Sequence, residues 1–129
     1  MKKKIAILGS TGSIGKTLLN IIENDKKNFE IVLLTANKDY KTLHLQAKKF
    51  KVKNIIINNP RFFEILKRKN SGYKIFNNFN VFKKIFKARI DYVMSSIVGI
   101  EGLDPTLKII KFTKKIAIAN KESIICGWN

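Results

Sequence analysis

An open α/β sheet, mostly parallel and covered by helices on both faces, is the fold class this sequence predicts, and three observations predict it. Apolar runs of strand length recur at residues 5–8, 31–34, 55–57, 92–94 and 116–119. Stretches with helical spacing lie between them, and regular alternation of the two calls for a parallel sheet. A glycine-rich turn, Gly9-Ser10-Thr11-Gly12-Ser13-Ile14-Gly15, separates the first apolar run from the first helical stretch. Strand, glycine turn and helix in that order open a Rossmann-like unit.

The elements follow in chain order. Ile5-Ala6-Ile7-Leu8 forms the first strand, and the helix after the turn carries Leu18, Leu19, Ile21 and Ile22 as its apolar face. The second strand covers residues 30–36. Asp39 then stands where an N-cap would start a helix at Tyr40-Lys41-Thr42-Leu43, with Leu43, Ala47 and Phe50 inward. Asn58-Asn59-Pro60 turns the chain after the third strand into a helix marked by Phe63, Ile65 and Leu66. Asn70-Ser71-Gly72 is a further turn, and residues 72–80 read either as a short strand or as a loop. Phe82, Ile85 and Phe86 mark the next helix, and residues 92–94 the next strand. Leu107, Ile109 and Ile110 mark the last helix, with Asp104 as its cap and Pro105 in its first turn. These aromatic and aliphatic stripes are core rather than ligand surface. Residues 1–129 make one domain, without repeat, linker or second boundary.

Composition narrows the function classes. The net charge of +17 invites a nucleic-acid reading. Arg61, Arg68 and Arg89 are the only arginines among the 26 basic residues, however, and base readout and bidentate phosphate grip favour arginine. The lysines are spread through every segment, so they read as solvated faces in a chain whose Lys, Ile and Asn content suggests an A- and T-rich coding bias. No nucleic-acid partner and no membrane are therefore expected. The apolar run behind Met1-Lys2-Lys3-Lys4 is too short for a signal peptide, and no segment has transmembrane length. Cys126 is the single cysteine, which fits a cytoplasmic location. His44 is the single histidine, expected at a solvated helix position, and no His, Cys or carboxylate cluster has metal-ligand spacing. Neither a metal site nor a nucleophile–base pair is expected, so no residue is assigned a catalytic role.

The glycine loop carries the first chemistry. Its first glycine permits a tight turn, its middle glycine lets phosphate oxygens approach the backbone, and its last lets the helix pack close. The spacing is G-x-x-G-x-x-G, and Ser10, Thr11 and Ser13 add hydroxyl donors. An ordinary strand-to-helix turn would use the glycines for geometry alone; the clear strand before and helix after favour phosphate binding. Cofactor choice is made at the end of the second strand, about twenty residues on. The acid typical of NAD sites is missing there, and Asn37-Lys38-Asp39 replaces it. Lys38 can pair with a 2′-phosphate and Asn37 can donate an amide hydrogen, which favours NADP over NAD. Asp39 opposes an anion unless it caps the next helix.

The far end carries the second motif, Ala119-Asn120-Lys121-Glu122-Ser123, which a strand delivers to the carboxyl edge where open sheets bind ligands. By itself it could equally be a polar loop capping a following helix through Asn120 or Ser123. Together with the glycine loop, with Ala36-Asn37-Lys38-Asp39, and with the run Ile97-Val98-Gly99-Ile100-Glu101-Gly102-Leu103-Asp104-Pro105-Thr106-Leu107, it resembles the 1-deoxy-D-xylulose 5-phosphate reductoisomerase family over the whole chain.

The resemblance implies the NADPH-binding domain of a longer, homodimeric, cytoplasmic oxidoreductase of non-mevalonate isoprenoid biosynthesis. That family rearranges 1-deoxy-D-xylulose 5-phosphate under a divalent metal, Mg or Mn, and then reduces the aldehyde with NADPH to 2-C-methyl-D-erythritol 4-phosphate. It implies that Thr11, Gly12, Ser13 and Ile14 contact the cofactor's phosphates and nicotinamide. It places Asn37, Lys38 and Asp39 at the adenosine 2′-phosphate, makes Asn120 and Glu122 further cofactor contacts, and makes Lys121 a substrate contact. The family's 2′-phosphate loop commonly reads Ala-Gly-Lys-Asn, so Asp39 removes a donor and adds a negative charge. The family's metal ligands, catalytic flap and helical C-terminal domain are expected beyond this chain, leaving a portion that is inactive alone. Apolar surface is expected near Ile124, Ile125 and Trp128. Two other readings stay open: the first domain of another NADP-dependent oxidoreductase, and a basic binding module without chemistry.

Overall fold

The computed structural model describes residues 2–69, 72–97 and 99–119. Six strands form one sheet in the order β4-β3-β2-β1-β5-β6, and all five neighbouring pairs are parallel. The strands are β1 (Lys3–Leu8), β2 (Phe29–Ala36), β3 (Asn54–Ile57), β4 (Lys74–Phe76), β5 (Ile90–Ser95) and β6 (Thr113–Ile118). Helices α1 (Ser13–Glu23), α2 (Tyr40–Lys49), α3 (Pro60–Lys69), α4 (Phe82–Ile85) and α5 (Leu103–Ile109) join them.

The two-residue period of β1 divides the core. Ile5 and Ile7 face one side with Leu19 and Ile22 of α1, Leu43 and Ala47 of α2 and Leu66 of α3. Ala6 and Leu8 face the other side with Phe82, Phe86 and Ile109. A bulge changes the phase of β2: Ile5 pairs with Ile31, but Ala6 pairs with Leu33. Leu33 consequently joins the face opposite Ile31, although simple alternation would put the two together.

The expected strands and helices are present, and the open segment resolves into the short edge strand β4. The last helix differs in detail. It begins at Leu103 after a 3-10 turn over Ile100–Gly102, so Asp104 lies in its first turn and the N-cap position is Gly102. There Asp104 pairs with Lys108 at 3.0 Å, one helical turn on. Of its apolar stripe only Ile109 is buried; Leu107 and Ile110 are exposed. Ile21 of α1 is likewise 61% exposed, outside the inward stripe. The reason is coverage, since a helix buries only the arc that meets the sheet.

His44 departs from its expected solvated position. Its Nδ1 lies 2.7 Å from the Tyr73 hydroxyl, and the two rings meet edge-on at 5.8 Å. Desolvation, then Lys69 and Lys48, hold its imidazole below the usual range. At the start of α3 the turn acts as a cap, with the Asn59 side chain accepting from the Arg61 and Phe62 N–H groups ahead of Pro60.

Asn120, Lys121, Glu122, Ser123, Ile124, Ile125, Cys126 and Trp128 lie outside the described residues, as do Asn70, Ser71 and Val98.

Candidate nucleotide-binding site

Strand order reverses beside β1, whose neighbours are β2 on one side and β5 on the other. Open parallel sheets bind ligands at that point, beyond the carboxyl ends of the strands. A cleft of about 530 Å³ lies there, lined by Gly9, Thr11, Gly12, Ala36, Asn37 and Ile97 among others. Another cavity, of about 330 Å³, sits at the amino edge among Lys4, Lys53, Phe86 and Arg89, away from the glycine loop.

Each glycine of the loop has its own reason. Gly9 has φ +78°, and a Cβ there would stand 3.1 Å from the backbone of Ser96. Gly15 has ordinary helical geometry, but its Cβ would lie 2.6 Å from Cα and the carbonyl oxygen of Ser10. Gly12 is open: the nearest atom to its Cβ would be 3.9 Å away. Gly12 is also the N-cap of α1, in extended backbone and without a side-chain cap bond. The first-turn N–H groups and positive end of an eleven-residue helix therefore face the cleft without a side-chain cap. That is the donor set a diphosphate requires, and an exposed Gly12 leaves it room to approach.

The loop is held from behind. Thr35 Oγ1 accepts from the Gly9 N–H at 2.9 Å, and the Thr35 carbonyl accepts from the Ser10 N–H at 2.9 Å. The Ser96 hydroxyl donates to the carbonyls of Leu8 and Gly9 at 2.9 and 3.0 Å. Ser10 corrects an expectation. Its side chain is fully buried and donates to Gln46 Oε1 at 2.8 Å, so it is not a phosphate donor. Only Thr11 and Ser13 of the three loop hydroxyl residues have side chains that reach solvent. Sequence reasoning passed over Thr35, Gln46 and Ser96. A polar residue at the carboxyl end of an apolar strand was the available signal for Thr35 and Ser96. Gln46 gave no signal, because an amide on a helix reads as surface.

Asn37, Lys38 and Asp39 follow β2 and are exposed on the same edge. The Asn37 carbonyl accepts from the Asn59 N–H at 3.0 Å, tying this loop to the end of β3. The Asp39 carboxylate accepts from the Thr42 N–H at 3.1 Å and caps α2. Its charge is therefore committed to the first turn of that helix. β6 ends at this edge too, where the Ala119 N–H donates to Ser95 at 2.9 Å. Asn120, Lys121 and Glu122, which follow, are outside the described residues.

Among the described residues no group of His, Cys, Asp and Glu side chains could hold a metal ion. No described helix is long and apolar enough to cross a membrane.

Comparison with known proteins agrees with this geometry. Residues 5–127 match the family model of 1-deoxy-D-xylulose 5-phosphate reductoisomerase. The reductoisomerase of Pelagibacter ubique (strain HTCC1062) is 60% identical over 98% of this chain and 34% of its own length. That of Phocaeicola vulgatus is 41% identical over 97% of this chain and 34% of its own length. The solved structure of the Zymomonas mobilis reductoisomerase in complex with NADPH superposes with a TM-score of 0.87 at 31% identity, covering 97% of this chain and 34% of that one. A reductoisomerase in complex with NADPH, fosmidomycin and magnesium superposes with a TM-score of 0.85 at 31% identity, covering 95% of this chain and 31% of that one. The chain thus spans about a third of the length of the relatives it matches. Its loop, sheet order and match over residues 5–127 together show that the chain belongs to the 1-deoxy-D-xylulose 5-phosphate reductoisomerase family.

Proposed function

We propose that this chain is the NADPH-binding portion of a reductoisomerase that converts 1-deoxy-D-xylulose 5-phosphate to 2-C-methyl-D-erythritol 4-phosphate. One observation carries the reading: the uncapped N-terminus of α1, opened by Gly12, faces the cleft at the sheet's switch point. Family membership favours this reading over another NADP-dependent oxidoreductase or a basic binding module.

In this reading Thr11, Gly12, Ser13 and Ile14 bind the diphosphate and border the nicotinamide. The backbone donors of the first turn supply most of the charge stabilisation, since they are already oriented and pay no reorganisation. Asn37 and Lys38 take the adenosine 2′-phosphate, the amide as a donor and the ammonium as a point charge. Asp39 borders the same phosphate while its carboxylate serves α2. Asn120 and Glu122 make further cofactor contacts, and Lys121 meets the sugar phosphate. NADPH, when bound, supplies hydride to the aldehyde formed by the rearrangement. The divalent metal, Mg or Mn, takes its ligands from parts of the relatives that these residues do not span. A cytoplasmic homodimer completes the assignment.

Titration of the chain with NADPH and NADH, followed by nucleotide fluorescence, tests the reading. Binding of NADPH in preference to NADH is expected, with no metal-dependent oxidation of NADPH when the sugar phosphate is added. Absence of NADPH binding would overturn the cofactor assignment. Metal-dependent turnover by this chain would overturn the division of labour.

A further inference from the structure

Among the described residues, Gln46 joins the glycine loop to the helix behind the 37–39 loop by hydrogen bonds in both directions. Its Nε2 donates to the Ser10 carbonyl at 2.9 Å, and the Ser10 hydroxyl donates to its Oε1 at 2.8 Å. Gln46 is 9% exposed and lies on the inward face of α2 with Leu43 and Ala47, which are 0% and 2% exposed.

Packing does not explain an amide here. An apolar side chain of similar length would fill the place without the cost of desolvating two polar atoms. What the amide adds is direction, because each of its atoms has one partner of matching polarity on one residue. Ser10 is constrained from three sides. Its N–H is bound to Thr35, its carbonyl and hydroxyl to Gln46, and Gly15 of α1 packs against its Cα. The α2 end of this linkage has a second consequence. Asp39 caps α2 and Lys38 immediately precedes it, so a rigid helix runs from the 37–39 loop to Gln46, about 10 Å at 1.5 Å per residue. The bonds from Thr35 and Ser96 tie the loop to the sheet; Gln46 ties it to the helix that follows the 37–39 loop.

We infer that Gln46 is a positioning residue, which sets the spacing between the diphosphate cradle at residues 11–14 and the 2′-phosphate loop at residues 37–39 through its paired bonds to Ser10. The inference rests on the NADPH reading above, and it deepens that reading by adding a determinant of cofactor preference that touches no cofactor.

The test centres on Gln46→Met, which keeps the shape and loses both bonds. Ser10→Ala, the Ser10→Ala/Gln46→Met double variant and Leu43→Ala complete the set; the last weakens the same helix face without touching Ser10. Two quantities are measured well below every variant's Tm: amide hydrogen exchange across residues 9–15 without nucleotide, and Kd for NADPH and NADH. Gln46→Met is expected to speed exchange at Ser10 and to raise the NADPH Kd about ten-fold, the loss typical of a buried hydrogen-bonded pair. Ser10→Ala, which keeps the Nε2 bond to its carbonyl, is expected to do both to a smaller extent. NADH should weaken less, because it has no 2′-phosphate to register. The double variant should be no worse than Gln46→Met alone, since that change already removes the hydroxyl bond that Ser10→Ala removes. Leu43→Ala should lower Tm and leave loop exchange and the NADPH-to-NADH preference unchanged. Additive losses in the double variant would overturn the inference. So would a Gln46→Met variant that lowers Tm as Leu43→Ala does while loop exchange and cofactor preference stay as in the parent. If the parent chain binds no NADPH, the cofactor reading fails, and loop exchange alone still decides whether Gln46 holds Ser10.

Discussion

Two glycines of one motif should fail in opposite ways when each gains a methyl group. At Gly15 the added Cβ would lie 2.6 Å from Cα and from the carbonyl oxygen of Ser10, both backbone atoms. Ser10 cannot step aside cheaply, because it is bound to Thr35 and Gln46. Overpacking of this kind costs about 1–3 kcal/mol, and the rigid neighbour puts Gly15 at the upper end. Alanine returns about 1 kcal/mol of helix propensity, so Gly15→Ala should destabilise by about 2 kcal/mol net. At roughly 3–5 °C per kcal/mol for a domain of this size, Tm should fall by about 6–10 °C. At Gly12 the Cβ would meet nothing closer than 3.9 Å, and φ is −80°. Gly12→Ala should therefore cost only the difference between glycine and the poorer alanine at an N-cap, about 0.5–1 kcal/mol, and lower Tm by about 2–5 °C, less than Gly15→Ala. Its methyl would instead stand in the cleft at the first turn of α1 and weaken NADPH binding by at least about ten-fold, the cost of losing one charge-assisted hydrogen bond. Thermal melts followed by circular dichroism, with NADPH titrations on the same preparations, separate the two. Gly15→Ala melting with the parent, or Gly12→Ala losing as much stability as Gly15→Ala, would refute this division of roles.

Lys38→Ala should raise the NADPH Kd about ten-fold and leave NADH nearly unchanged, and added salt should weaken NADPH more than NADH; equal loss of both cofactors would show that Lys38 only shapes the loop. Asp39→Asn keeps an N-cap acceptor and removes the charge, so titration should show tighter NADPH binding with Tm unchanged. Asp39→Ala should cost about 1 kcal/mol of stability in denaturant melts, because the bond to the Thr42 N–H is lost. His44 is held below the usual imidazole range by desolvation first, then Lys69 and Lys48. The unfolded chain therefore binds a proton that the folded chain does not, so stability rises with pH in that window and is lost as pH falls below about 6.5. Urea melts between pH 7 and pH 5 should show a steeper loss for the parent than for His44→Gln; identical slopes would remove His44 from the account.

How far the sequence reached depended on the range of the interaction. Runs such as residues 5–8 and 55–57 declare buried parallel strands by themselves, because hydrophobic strand periodicity is a local property. The glycine loop was legible for the same reason: Gly9, Gly12 and Gly15 answer to turn, approach and packing within one strand–turn–helix unit. Asp39 as a cap was legible, since a cap involves only the next three residues. What lay out of reach were phase and contact across the fold. The bulge opposite Ile5 places Leu33 on the face away from Ile31, which alternation along β2 alone contradicts. Exposure of Ile21, Leu107 and Ile110 depends on which arc of a helix meets the sheet. Ser10 looked like a phosphate donor until α2 brought Gln46 against it, across 36 positions of sequence. Local pattern determined the elements and the cradle; only the packed fold decided which polar groups of that cradle face the cleft and which hold it in place, because a hydrogen bond between distant residues leaves no periodic trace in the chain.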